Sequence, residues 1–276
     1  MRTLMLHGHA TSAFIFKAQT LPVQTRLDKD FSFDFVDGPI RCAPPAGLAS
    51  VVKTAYTWYK APDATSIRNS ASWLARYIDK NGPYDCICCF SKAAVVVLAM
   101  LMYEVPQRTD ESKERITPKC LVFINAGLEY SFLEELGLPI TEEARRIKFR
   151  MEQLVRSKTN ALSNLSKATS RPGATNGLWD DTSKLLHNPN KMPPPSSCFG
   201  LDLTSWPEEF VIKLPTVHIL GGKDPLWPSG VQLANLCDED TRSFYDHQGG
   251  HDLPRTPKVA GDIAKIFNDL AEELRN

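Results

Sequence analysis

The stretch Tyr84–Tyr103, YDCICCFSKAAVVVLAMLMY, decides how the chain is read. Its first part, Tyr84 to Phe90, is a short apolar run that follows the breaker Asn81-Gly82-Pro83, which predicts a strand. Lys92 to Tyr103 is apolar on nearly every face, which predicts a helix buried on most sides. Ser91 falls at the junction. Taken alone, a serine there is most simply a helix cap. The same position is also that of a nucleophile elbow, a tight strand-to-helix turn that exposes the serine Oγ at the carboxyl edge of a parallel sheet. A helix starting at Lys92 adds a backbone N–H and a positive dipole end, both suited to a developing oxyanion.

Outward from this stretch, apolar runs and helical patterns alternate. Thr3 to His7, Phe31 to Val36, Cys120 to Asn125, Thr216 to Leu220 and Arg242 to Tyr245 read as strands. Ser12 to Leu27, Thr65 to Lys80 and Ile263 to Leu274 read as helices. This alternation predicts an α/β fold over residues 1–276, with a mostly parallel central sheet flanked by helices. One gap breaks it. Residues 127–214 are far more than a crossover needs. Thr141 can cap a helix there, with Glu142 and Glu143 in its first turn and Ala144, Ile147, Met151, Leu154 and Val155 on one face. Ser170-Arg171-Pro172-Gly173 and the run from Pro189 to Ser197 are polar and turn-like. The segment reads as an inserted cap or lid; the alternative is a surface excursion without functional weight.

Downstream chain order gives Ser91 its meaning. Asp224 follows the strand Thr216–Leu220 in Gly221-Gly222-Lys223-Asp224-Pro225, and His251 follows the last strand in Gln248-Gly249-Gly250-His251. Serine, then acid, then histidine is the order of α/β-hydrolases. The chemistry needs all three: serine is a weak nucleophile, histidine takes its proton, and the acid holds the imidazole in the useful tautomer. His7-Gly8-His9 follows the first strand, and the backbone N–H of His9, beside that of Lys92, completes a two-donor oxyanion hole. The side chains of His7 and His9 read as structural. Cys86, Cys88 and Cys89 lack a matching Cys/His pair and read as buried small hydrophobes rather than metal ligands. Cys89 should point away from the elbow tip, which argues against it as nucleophile. Asp246 and Asp252 read as solvated or structural, and Asp180 and Asp181 have no recognisable partner.

These residues resemble the FSH family of serine hydrolases, an α/β-hydrolase branch common in fungi. The likeness runs from Leu4-Met5-Leu6-His7-Gly8 through Phe35-Val36-Asp37-Gly38-Pro39, Ala43-Pro44-Pro45 and Tyr56-Thr57-Trp58-Tyr59. It continues through Ser70 to Asp85 and Phe90-Ser91, then Pro215 to Pro225 and Gly249-Gly250-His251 to Pro254-Arg255. It implies an esterase- or thioesterase-type hydrolase, and in fungi similar proteins often serve polyketide pathways, releasing an acyl chain from a carrier protein or closing a lactone. The departure is the elbow. The family pattern Gly-Phe-Ser-Xaa-Gly-Ala reads Cys89-Phe90-Ser91-Lys92-Ala93-Ala94 here, so both glycines are replaced. Cys89 should then push the helix outward or fill space the substrate would use.

Composition narrows the partners. Lys+Arg and Asp+Glu are both 32, so no general attraction to nucleic acid or an anionic membrane is expected. No apolar run approaches the ~20 residues of a membrane span. The apolar stretch before His7 is too short for a signal peptide, and seven scattered cysteines suggest a reducing, cytoplasmic setting. No phosphate-binding loop or dinucleotide fingerprint is present, so no cofactor or metal is expected. The expected partner is a small-molecule or carrier-bound acyl substrate, with a polyketide synthase or a second copy of the chain as further candidates. The rival reading, prompted by the altered elbow, is a cyclase or binding protein that steers a reactive intermediate without an acyl-enzyme.

Overall fold

The computed structural model describes residues 1–45, 52–168 (160–168 as backbone only) and 177–275. Strand β1 (Arg2–Leu6) leads into helix α1 (Ala13–Gln24), which starts where the Ser12 hydroxyl accepts the N–H of Ile15. Strand β2 (Ser32–Val36) follows, then β3 (Ile40–Cys42) and β4 (Ala55–Thr57), which form a small antiparallel pair of their own. Helix α2 (Ala64–Asn81) is capped by Asp63 and buries Ile67, Ala71, Leu74, Ala75 and Ile78, the stripe its periodicity predicts.

Strand β5 (Cys86–Phe90) precedes α3 (Ala93–Ala99). The helix expected to reach Tyr103 is α-helical only to Ala99. It then widens through a π-helical turn, Met100–Glu104, in which the Val105 N–H donates to Met100 O. Pro106 follows; it lacks an N–H and its ring crowds the preceding turn, so the regular ladder cannot run through it. Next come α4 (Asp110–Ile116), β6 (Cys120–Ile124), α5 (Tyr130–Glu135) and the 27-residue α6 (Glu142–Ala168). The chain returns through β7 (Thr216–Leu220), α7 (Trp227–Ala234), β8 (Arg242–Asp246) and α8 (Pro257–Glu273). The turn expected at Ser170–Gly173 lies outside the described residues.

The main sheet has the order β2-β1-β5-β6-β7-β8, and every neighbouring pair is parallel. Apolar clusters lie on both faces: α2, α3, α5 and α7 cover one, α1 and α8 the other. Alternation along β5 sends Ile87 and Cys89 to the first face and Cys86 and Cys88 to the second. This is the α/β-hydrolase arrangement. Chain order reverses between β1 and β5, so the loops leaving their carboxyl ends, His7–Ser12 and Ser91–Lys92, stand side by side where an open parallel sheet forms its crevice.

Candidate active site

Ser91 occupies the turn between β5 and α3 with φ +54°. A non-glycine residue in this left-handed region costs on the order of 1–3 kcal/mol and persists only where its surroundings impose it. Here they do. The Ser91 N–H donates to Ile124 O at 2.9 Å, and Ser91 O accepts the N–H groups of Ala94 and Gly127, both at 3.2 Å. The two residues that stand for glycine are both fully buried. Cys89 lies in the same apolar cluster as Leu6, Ile87 and Phe123, so its side chain is part of the core. Burial drives its thiol well above the usual pKa, which leaves no thiolate to act as nucleophile.

The three residues singled out for their chain order come together. Ser91 Oγ lies 2.9 Å from His251 Nε2, and His251 Nδ1 lies 2.7 Å from Asp224 Oδ2. Asp224 is buried, with its other oxygen accepting the Leu226 N–H at 2.8 Å. A carboxylate at Nδ1 selects the tautomer that carries its proton there, leaving Nε2 free to accept the Ser91 proton. Burial of the His251 ring works against its charge. The charge of Asp224 and its hydrogen bond, with Asp252 nearby, outweigh that burial and hold the pKa above the ordinary 6.5.

The loop after β1 touches the elbow: a Cβ on Gly8 would come 2.6 Å from Phe90 Cδ1 and 3.5 Å from Ser91 Cβ. Its histidine rings are engaged elsewhere. His7 accepts the Gly38 N–H at Nε2 (2.9 Å) and faces Gly8 O at Nδ1 (2.6 Å), and His9 Nδ1 meets Thr57 Oγ1 at 2.9 Å. Lys92 turns its ammonium 3.8 Å over the Tyr59 ring and donates to Tyr59 O at 3.0 Å. Among the described residues, no acceptor of the chain takes the backbone N–H of His9 or of Lys92.

Three residues belong to this site that the sequence did not mark. Asn125, at φ +44° after β6, donates from Nδ2 to Gly250 O (3.2 Å) and Asp252 O (2.8 Å). His247 meets Asn125 Oδ1 through Nε2 at 3.2 Å, and burial lowers its pKa to about 4. Trp179, from the 127–214 segment, covers Gly250 so closely that a Cβ there would run into the indole. Asp252 is not merely solvated: its Oδ1 is buried without a hydrogen-bond partner, and burial raises its pKa. Asp246, read as solvated or structural, is exposed and accepts from the Gly222 and Gln248 N–H groups. Asp180 has a partner after all, Lys223 at 2.8 Å.

A parallel sheet with a strained serine turn after an inner strand, facing a buried histidine–carboxylate pair, defines the class of α/β-hydrolases. Within that class, the chain belongs to the serine hydrolase (FSH1) family, whose match spans residues 1–263. Its relatives include the hydrolase FUB4 of Fusarium oxysporum f. sp. lycopersici, 26% identical over 99% of this chain and 100% of that protein. The esterase alnB of Emericella nidulans is 27% identical over 92% of this chain and 91% of its own length. Among solved structures, Arabidopsis thaliana SOBER1 aligns over 98% of this chain and 99% of its own, at 15% identity and a TM-score of 0.47.

Proposed function

We propose that the protein is an ester or thioester hydrolase or acyltransferase working through an acyl-enzyme on Ser91. The observation that carries this reading is the unbroken chain Ser91 Oγ–His251 Nε2, His251 Nδ1–Asp224 Oδ2, at 2.9 and 2.7 Å. Ser91 Oγ attacks the acyl carbonyl while His251 Nε2 takes its proton. The oxyanion forms against the N–H groups of His9 and Lys92, and Asp224 balances the imidazolium. Collapse expels the alcohol or thiol, which leaves with the proton from His251. Water then attacks the acyl-enzyme with His251 as base, and the acid product departs; an internal hydroxyl in its place gives a lactone.

The finer substrate reading is a thioesterase-like release or lactone-forming step on a polyketide-type chain, delivered small or on a carrier protein. Its support is family kinship with relatives named esterase and hydrolase in filamentous fungi. Residues 127–214 act as a cap, reaching the histidine loop through Trp179. The test compares turnover of an acyl N-acetylcysteamine thioester and a p-nitrophenyl ester by wild type and Ser91→Ala. Loss of both activities in a folded Ser91→Ala protein is expected. Turnover that survives it would favour non-covalent steering of the intermediate instead.

A further inference from the structure

His251 sits on a loop with no regular structure, which leaves β8 at His247 and runs to Thr256, and something must fix it to a fraction of an ångström. The backbone does part of this. The His247 N–H donates to Leu220 O at 2.9 Å, and Gly249 O accepts the Lys223 N–H at 2.8 Å, which ties the histidine loop to the loop that carries Asp224. The rest converges on one side chain. Asn125 Nδ2 donates to the carbonyls of Gly250 and Asp252, the residues on either side of His251. Asn125 itself is anchored by its N–H on Ile219 O at 2.8 Å.

His247 closes the circuit. Its Nδ1 accepts the Gly249 N–H at 3.1 Å, so the proton is on Nε2 and is donated to Asn125 Oδ1 at 3.2 Å. Asn125 is 2% exposed and His247 5%, so both side chains are shielded from water. Asn125 thus links β6, β7 and the histidine loop, with both its donor and acceptor ends engaged.

We infer that Asn125 and His247 are positioning residues for the proposed acyl transfer: they clamp the backbone on both sides of His251 so that its Nε2 meets Ser91 Oγ while its Nδ1 meets Asp224. The inference rests on the function proposed above. Neither side chain touches Ser91 Oγ or the His251 ring nitrogens, so the effect passes through the loop. A displacement of about 1 Å in such a group costs roughly a hundredfold in rate. The titratable groups around His251 are Asp224 and Asp252, with neutral His247 behind it; those around His247 are Asp224, Asp246 and His251. The excess of His251 pKa over 6.5 comes from its alignment with Asp224. A loosened loop therefore moves the acid limb of the rate profile down, toward the ordinary histidine value.

The experiment measures p-nitrophenyl butyrate hydrolysis from pH 5 to 9 by the full chain and its Asn125→Ala, His247→Ala and His247→Gln variants, each with a melting curve. Folded Asn125→Ala and His247→Ala should lose about 10- to 100-fold in kcat with KM within about threefold, and their acid limbs should shift downward. His247→Gln keeps an amide N–H for Asn125 Oδ1 and should recover most of the loss. If Asn125→Ala fails to fold, the two His247 variants carry the same comparison. Wild-type kcat and an unmoved acid limb in folded variants would overturn the inference, as would a rate loss that only tracks loss of folded protein. A wild type with no Ser91-dependent turnover would instead overturn the proposed function.

Discussion

The elbow and the histidine loop hold their residues by opposite means. At the elbow Cys89 and Ala93 stand where the resemblance implies glycine, and both are fully buried. Ser91 is kept at φ +54° by the sheet and helix around it. Where the loop carrying Asp224 meets the histidine loop, backbones approach too closely for a side chain: a Cβ on Gly221 would stand 2.5 Å from Gly250 O and 2.6 Å from Gly249 O. The histidine loop is then held by buried polar groups on Asn125 and His247, and at the surface by the Asp246 carboxylate. A turn set in an apolar core tolerates a change of side chain if the volume is absorbed. A loop set by converging hydrogen bonds between close backbones does not.

The sharpest way to break the comparison is at its hinge, the carboxylate that orients His251. Asp224→Asn should keep the fold and cut kcat on the order of 10⁴-fold, by presenting the wrong tautomer to Ser91; stopped-flow or steady-state ester hydrolysis reads it directly. Next in size is Gly221→Ala, whose Cβ meets backbone rather than a flexible side chain. It should destabilise by about 1–3 kcal/mol and depress turnover with it, measured by denaturant melts and ester hydrolysis on one preparation. If Gly221→Ala were neutral in both, the junction of the two loops would be as forgiving as the elbow.

Cys89→Gly restores the family residue, yet here it empties a filled core site. A loss of about 1–2 kcal/mol is expected, with turnover within about threefold of wild type; a large gain in kcat would mean that Cys89 does hinder the site. The last effect is in pH. His247 titrates near 4 in the fold against 6.5 when unfolded, so the unfolded chain binds the extra proton between these values. Its contribution to stability is therefore whole above 6.5 and is lost as pH falls toward 4. Melting temperatures of wild type should drop through this window more steeply than those of His247→Gln, and parallel curves would contradict it.

How much of this was legible in the chain follows the same division. The strand and helix around Ser91 could be read because continuous apolar runs set between breakers have few other uses. Asp224 and His251 could be placed because each follows a strand and a glycine pair. Asn125 and His247 could not: a single polar residue past a strand end carries no period and no spacing rule, and its role exists only once three loops meet. Trp179 was hidden in a polar segment, where sequence gives no sign of which distant glycine it covers. Helix α7 escaped notice because all eight of its residues are buried, which erases the one-sided stripe that marks a surface helix. The three-residue strands β3 and β4 are too short to show alternation.

The central claim is that Ser91 is a live nucleophile despite the altered elbow. Intact-protein mass spectrometry after incubation with a fluorophosphonate tests it most directly, with wild type, Ser91→Ala and His251→Ala in parallel. The account predicts one adduct on wild type, none on Ser91→Ala, and labelling of His251→Ala slowed by orders of magnitude. No adduct on wild type, when a small activated ester also leaves Ser91 unacylated, would contradict it.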